Sequence, residues 1–427
     1  MPYRKSNKFL WIMSVVILRL LLDVIYLRVI SPQFAYAGLG HSFSTSAIIY
    51  SWLIMVGALL IVLPCLDRKD FFLPHASLFL FLLFFVPWTS FVSCKPQKLD
   101  FLFCETVFWY MTFLLLHKRI HFNISRSVTK GSEPVVIAIS LVMMLTVVYI
   151  SAVYAHFRMK FDLVDVYDLR MEAREYKLPT IIAYLWAATS NVLPILMIYF
   201  VSRKRWWMVS IMALVVVMNF SINGSKSTFF KLFLCFLFYF FANNELKHKI
   251  PMFLAAFVGL GIVEFSVFHS GFIADVIVRR SFYVTSLLDS YYYDLINQFG
   301  PAVFSHKVAG HDVQFYIGEL YFGRDSMRAN NGMFSDAYMN LGWLGCFVYP
   351  VLYMLFFNVC EHFLVCHKPQ IKWYAVFLMV LTMRSSEFTT TLLTHGMLLL
   401  FLTMMFMPRE RTLESNVQRK LYAPSHV

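Results

Sequence analysis

The chain has 427 residues, 59% of them apolar or aromatic and only 14% charged, at a mean hydropathy of +0.65. Soluble domains carry about 25% charged residues, so the composition excludes a soluble globular protein and points to an integral membrane protein. The net charge of +13, from 37 Lys and Arg against 24 Asp and Glu, does not indicate nucleic acid, because the basic residues cluster at the ends of apolar spans.

In chain order, hydropathy predicts an all-α polytopic membrane bundle of about twelve spans. They fall near 9–30, 45–64, 71–92, 101–116, 135–156, 179–201, 207–222, 228–242, 251–268, 341–365, 372–389 and 391–407. One set of alternate loops holds Arg68 and Lys69, Lys118 and Arg119, Arg203 to Arg205, and Arg409 and Arg411, with few acids. The positive-inside rule makes that face cytoplasmic, together with both termini. The loops at 157–178 and 269–340 are then extracytoplasmic. Ala35-Tyr36-Ala37 has the pattern of a cleavage site, but the preceding span is long and carries Arg19, Asp23 and Arg28. A signal peptide has a short, uncharged apolar region, so the first span is expected to stay. There is no internal repeat, and 1–427 reads as one membrane domain.

The seven Cys give no disulfide framework. Cys65, Cys104, Cys235, Cys360 and Cys366 fall within apolar spans or near their basic ends, and Cys94 and Cys346 lie near the opposite face. No zinc-ligand spacing occurs, so no metal or other cofactor is expected.

Polar residues inside or beside the spans are the candidates for chemistry. Arg19 and Asp23, four apart at membrane depth, read as an ion pair that orients the first helix, or as a headgroup contact. Asn223-Gly224-Ser225-Lys226-Ser227 lacks the upstream glycine and the strand of a P-loop. It leaves Lys226, hydroxyls and free N–H groups at a helix start, either a plain turn or an anion site, with Lys231 one turn further in. The charge alternation at 157–178 runs through Asp162, Asp165, Asp168, Arg170, Glu172 and Arg174. It reads as an amphipathic surface helix, with Arg170 the residue to test as a cavity cation.

The long loop is the main candidate, because a membrane protein keeps its chemistry in such loops. Arg279 and Arg280 offer the bidentate donors that suit a diphosphate, or snorkel to headgroups. Tyr291, Tyr292 and Tyr293 offer ring faces for sugars, or form an interfacial belt. His306 and His311 are candidate general bases, with Asp336 and Glu319 as carboxylate competitors. His311 is preferred, then Asp336. Arg384, Glu387 and His395 are placed to complete a polar rim.

The order of these features resembles the Wzy-type O-antigen polymerases, oligosaccharide repeat-unit polymerases of the bacterial inner membrane. The resemblance rests on the spans, the turn Gly224-Ser225-Lys226-Ser227, and Arg279-Arg280-Ser281-Phe282 with its downstream tyrosines. It also rests on Tyr316-Ile317-Gly318, Asn330-Asn331-Gly332-Met333-Phe334-Ser335-Asp336-Ala337-Tyr338 and Leu341-Gly342-Trp343-Leu344-Gly345. What it implies is a GT-C-like membrane glycosyltransferase that uses undecaprenyl-diphosphate-linked oligosaccharide and works beside a chain-length regulator and a flippase; since permanent cations can replace Mg2+ at the leaving group and no metal cluster occurs, metal independence is expected. It further implies that Arg279, Arg280, Lys226 and Arg170 hold diphosphate and that Asn330 and Asn331, with the tyrosines, bind glycan. A ligase that moves finished polymer, or a flippase of lipid-linked oligosaccharide, are the alternatives. Against a flippase stand the missing repeat and the few charges inside spans.

Overall fold

Apolar runs in lipid must satisfy their backbone internally, so they fold as helices. The computed structural model describes residues 2–123, 131–159, 167–243, 245–269 and 271–410; Asp162 and Asp165 lie outside them. The helices are α1 Pro2–Ile25, α2 Thr45–Val62, α3 Phe72–Cys94, α4 Leu99–Leu116, α5 Glu133–Val153 and α6 Tyr167–Glu175. They continue as α7 Thr180–Ser202, α8 Trp206–Asn223, α9 Lys226–Phe241, α10 Leu246–Phe268, α11 Val284–Phe299 and α12 Val313–Phe322. The last are α13 Met333–Leu341, α14 Gly345–Leu364, α15 Pro369–Met383, α16 Phe388–Leu392 and α17 Met397–Phe406.

Among the described residues ten helical runs are long and apolar enough to cross a membrane, two fewer than predicted. The two shortfalls are α9 and α15, which are helical but only 16 and 15 residues long. A full crossing takes about 20 residues at 1.5 Å each. A second difference concerns Asp336. The helical run Met333–Leu364 is one of the ten, and Asp336 lies in its first part, Met333–Leu341, ahead of the break at Gly342.

Contacts group the chain into two compact units. The first comprises Met1–Ile120, Glu245–Val359 and Val380–Phe388. In it α1 packs along α10, α2 against α3, and α11 against α13. Arg19 is fully buried and ion-pairs with Asp23, while its guanidinium also donates to Thr89 Oγ1 (3.1 Å), Thr89 O (2.9 Å) and Ser51 Oγ (3.2 Å). Asp23 in turn accepts from Ser90 and Ser93. The pair thus clamps α1 to α2 and α3, the structural reading of those two charges. α13 and α14 meet at Gly342-Trp343-Leu344-Gly345, where Gly342 has φ +54 and a Cβ on Gly345 would run into the Ala337 carbonyl.

The second unit comprises His121–Asn244, Cys360–Met379 and Thr389–Val427. Its hub is α7, against which α5, α8, α9 and α17 all pack. Every residue of α7 from Asn191 to Val201 is buried.

Candidate functional site

The long loop is mostly helical. A π-helical stretch, Ile273–Tyr283, leads into α11. A two-stranded hairpin, Lys307–Val308 paired with His311–Asp312, precedes α12. Ala309 and Gly310 both take positive φ (51° and 84°), the backbone that a tight two-residue hairpin requires. Asp312 then caps α12, accepting from the N–H groups of Gln314 (3.0 Å) and Phe315 (3.4 Å).

This hairpin and cap set His306 and Gln314 beside the turn between α15 and α16. His306 Nδ1 lies 3.2 Å from Glu387 Oε2, with Glu387 buried and His306 half exposed. The other oxygen, Oε1, accepts from Gln314 Nε2 (3.0 Å), and Gln314 Oε1 accepts from Arg328 Nε. Gln314 Nε2 also reaches Asn331 Oδ1 at 3.4 Å, whereas the buried Asn331 Nδ2 has no hydrogen-bond partner among the described residues. A carboxylate only accepts, so Nδ1 carries the proton and Nε2 is left as the basic nitrogen on the exposed side of the ring. An oriented imidazole of this kind can take a proton from a hydroxyl.

Three residues before Glu387, Arg384 is 6% exposed, with its guanidinium over the rings of Phe282 (5.3 Å) and Phe84 (5.6 Å). Among the described residues it forms no ion pair, and Nη2 has no hydrogen-bond partner. A buried cation without a counter-charge is costly, and an anion bound beside it would offset that cost. The turn itself is held closely: a Cβ on Gly332 would stand 2.8 Å from the Arg384 carbonyl oxygen.

The predicted residues are distributed around this centre unevenly. Asp336 accepts from Asn340 Nδ2 (2.8 Å), Tyr349 Oη (3.4 Å) and the Phe388 N–H (2.7 Å). These bonds join α13 to the start of α16. His311 is exposed and stacks on Tyr316 (4.7 Å), with no carboxylate partner among the described residues. Asn330 is exposed and Asn331 buried.

The tyrosines depart from the sugar-platform expectation. Tyr292 is fully buried and donates to Ala329 O (2.8 Å). Tyr293 is buried against Tyr338 (4.9 Å) and Phe101 (5.3 Å). Only Tyr291 reaches the edge of the core, and one of its faces is covered by Tyr321 at 3.9 Å. Burial raises the Tyr292 hydroxyl pKa well above its ordinary value, with Glu387 adding to the effect.

Of the predicted diphosphate ligands, Arg279 is tied to Asp275 (Nε to Oδ1 2.6 Å) and lies over Phe34 (4.0 Å), whereas its neighbour Arg280 is exposed. Both belong to the first unit. Arg170 and Lys226 belong to the second, where Arg170 donates to Gly224 O (3.2 Å) in the turn that opens α9. Gly224 has φ +60, and Asn223 Oδ1 accepts from the Ser225 N–H (2.8 Å). That turn therefore does bring Arg170 to the segment that carries Lys226. Among the described residues no three His, Cys, Asp or Glu side chains cluster to hold a metal ion.

The fold and the ten apolar helical runs among the described residues define a multi-pass helical membrane protein. No family model, curated protein or solved structure matches the chain.

Proposed function

We propose that this protein is a membrane glycosyltransferase that polymerises oligosaccharide repeat units carried on a lipid diphosphate, at the extracytoplasmic face of the bacterial inner membrane. The observation that carries the reading is the turn 384–388. It holds a buried Arg384 with no counter-charge among the described residues and, three residues on, the Glu387 that orients His306. A cation and the carboxylate that orients a base, together on one short turn, suit a reaction that makes an anionic leaving group while consuming a hydroxyl proton.

In the proposed step His306 Nε2 takes the proton of the acceptor sugar hydroxyl, and the oxygen attacks the anomeric carbon of the donor. The bond from that carbon to the phosphate oxygen breaks, and the lipid diphosphate leaves with the electron pair. Arg384 stabilises the charge that develops on the diphosphate, and fixed charges placed in this way supply most of the rate enhancement in many enzymes. Arg280, exposed on the same unit, is the second cation of choice, with Arg279 held to Asp275 beside it. Outside the cytoplasm no nucleotide sugar is at hand, so the donor arrives already activated on its lipid.

The glycolipid ladder of cells lacking the gene tests the proposal. A polymerase defect leaves core bearing a single repeat unit. Bare core with polymer still on the carrier would indicate a ligase, and single units trapped inside would indicate a flippase. An Arg384→Ala variant that inserts normally and restores a full ladder would overturn the assignment of the site.

A further inference from the structure

Cys104 and Cys346 occupy different elements, yet their sulfur atoms are 3.3 Å apart and both residues are fully buried. Cys104 lies near the start of α4 and Cys346 is the second residue of α14. Both ends adjoin the long loop. Lys98, just before α4, ion-pairs with Asp294 of α11 (2.7 Å), and Phe103 meets Trp343 (5.8 Å) just before α14. Phe101 and Phe108 close over Phe334 at 5.9 and 5.7 Å, so the thiols sit within an aromatic packing layer. The face on which α4 begins is the face of the loop 269–340, and with the topology proposed above that face is extracytoplasmic. Thiols there meet an oxidising compartment.

We propose that Cys104 and Cys346 close to a disulfide that ties α4 to α14. The two thiols exchange with a disulfide-bearing oxidant of that compartment, a protein or small-molecule disulfide. One cysteine thiolate attacks a sulfur of the oxidant and expels the first thiol. The second cysteine then attacks the mixed disulfide and expels the other. Two protons and two electrons pass from the cysteines, and the oxidant leaves as two thiols. The exchange takes place while α14 docks on α4, before the aromatic layer closes. Afterwards burial keeps reductants out, so the bond is structural. The bridged residues lie 242 positions apart, a loop length at which a crosslink constrains the unfolded chain strongly. Because the bond rests on the topology, the test reads the two separately.

Thiols are blocked with N-ethylmaleimide in intact cells and then in denaturant, and the protein is reduced and tagged with a maleimide polymer. Two tags per chain are expected after reduction and none without it. Cys104→Ser and Cys346→Ser should each remove both tags, and either variant suffices if the other fails to accumulate. No tags after reduction overturns the disulfide. In a Cys104→Ser, Cys346→Ser background, Asp325→Cys in the exposed loop is treated in spheroplasts with a membrane-impermeant maleimide. Labelling together with untagged wild type sinks the disulfide alone, and absence of labelling sinks the topology with it.

Discussion

His306 Nδ1 faces Glu387 Oε2 at 3.2 Å, while His311, five residues on across the hairpin, stacks on Tyr316 with no carboxylate in reach among the described residues. Two histidines of one loop thus have different neighbours, a carboxylate for one and an aromatic ring for the other. If His306 is the base, His306→Ala lowers polymer synthesis by about a hundredfold or more, and His311→Ala leaves it close to wild type. Glu387→Gln keeps the volume and an oxygen but removes the charge that favours the oriented tautomer, so it costs less than His306→Ala. In vitro transfer from a lipid-linked repeat unit gives the rates. Equal losses at His306 and His311 would remove the distinction.

The helices and the dominant loop were legible because long apolar runs have one stable answer in lipid. The tyrosine triplet was not. Consecutive helical positions point about 100° apart, so Tyr291, Tyr292 and Tyr293 cannot share a face once α11 forms, and the last two turn inward. The pairing of His306 with Glu387 was equally hidden, since nothing local to either residue announces a contact between segments so distant in sequence. The closest signal was Arg384 and Glu387, three apart in a short polar break between apolar runs. The short helix that carries Asp336 was hidden because polar residues fill its first turn.

Arg384 separates function from stability. Its guanidinium is buried without a counter-charge among the described residues, so Arg384→Met, of similar length and apolar, should raise stability by about 1 kcal/mol or more and abolish polymer. Arg384→Lys should also be poor, because a point charge lacks the planar fork. Gly332→Ala should copy the activity loss in part, since its Cβ displaces the Arg384 carbonyl. Thermal unfolding in detergent and the glycolipid ladder are the two readouts. A destabilised Arg384→Met would show that the guanidinium is satisfied by the protein itself.

Asp289 makes the stability of the loop depend on pH. It accepts a hydrogen bond from Ser335, and burial pushes its carboxyl from 3.8 up to about 7 although that bond pulls it back. A carboxyl whose folded value is raised favours the folded state fully below about pH 4, where it is protonated in both states. That contribution is lost as pH rises towards 7, because the unfolded chain ionises first. Asp289→Asn keeps an acceptor for Ser335 and cannot ionise. Its melting temperature relative to wild type should therefore climb between pH 4 and pH 7 and level off above. A difference that is flat with pH would mean that Asp289 is ionised in the folded protein.

Lys231 tests how the second unit carries a buried cation. It is 8% exposed in α9 and donates to Asn191 Oδ1 (2.7 Å) and Ser190 O (3.2 Å), both on α7. Asn191 is held in turn by donating from Nδ2 to His395 O (2.8 Å). Two neutral acceptors replace part of the hydration that an ammonium loses on burial, and removing one leaves the charge exposed to an apolar interior. Asn191→Ala should therefore cost about 3 kcal/mol. Lys231→Met should be nearly neutral, because the charge leaves together with its need for acceptors. The double variant should recover most of the stability lost in Asn191→Ala, a coupling that a thermodynamic cycle of the four proteins measures directly. Additive losses would mean that Asn191 and Lys231 contribute to the stability of the unit independently of each other.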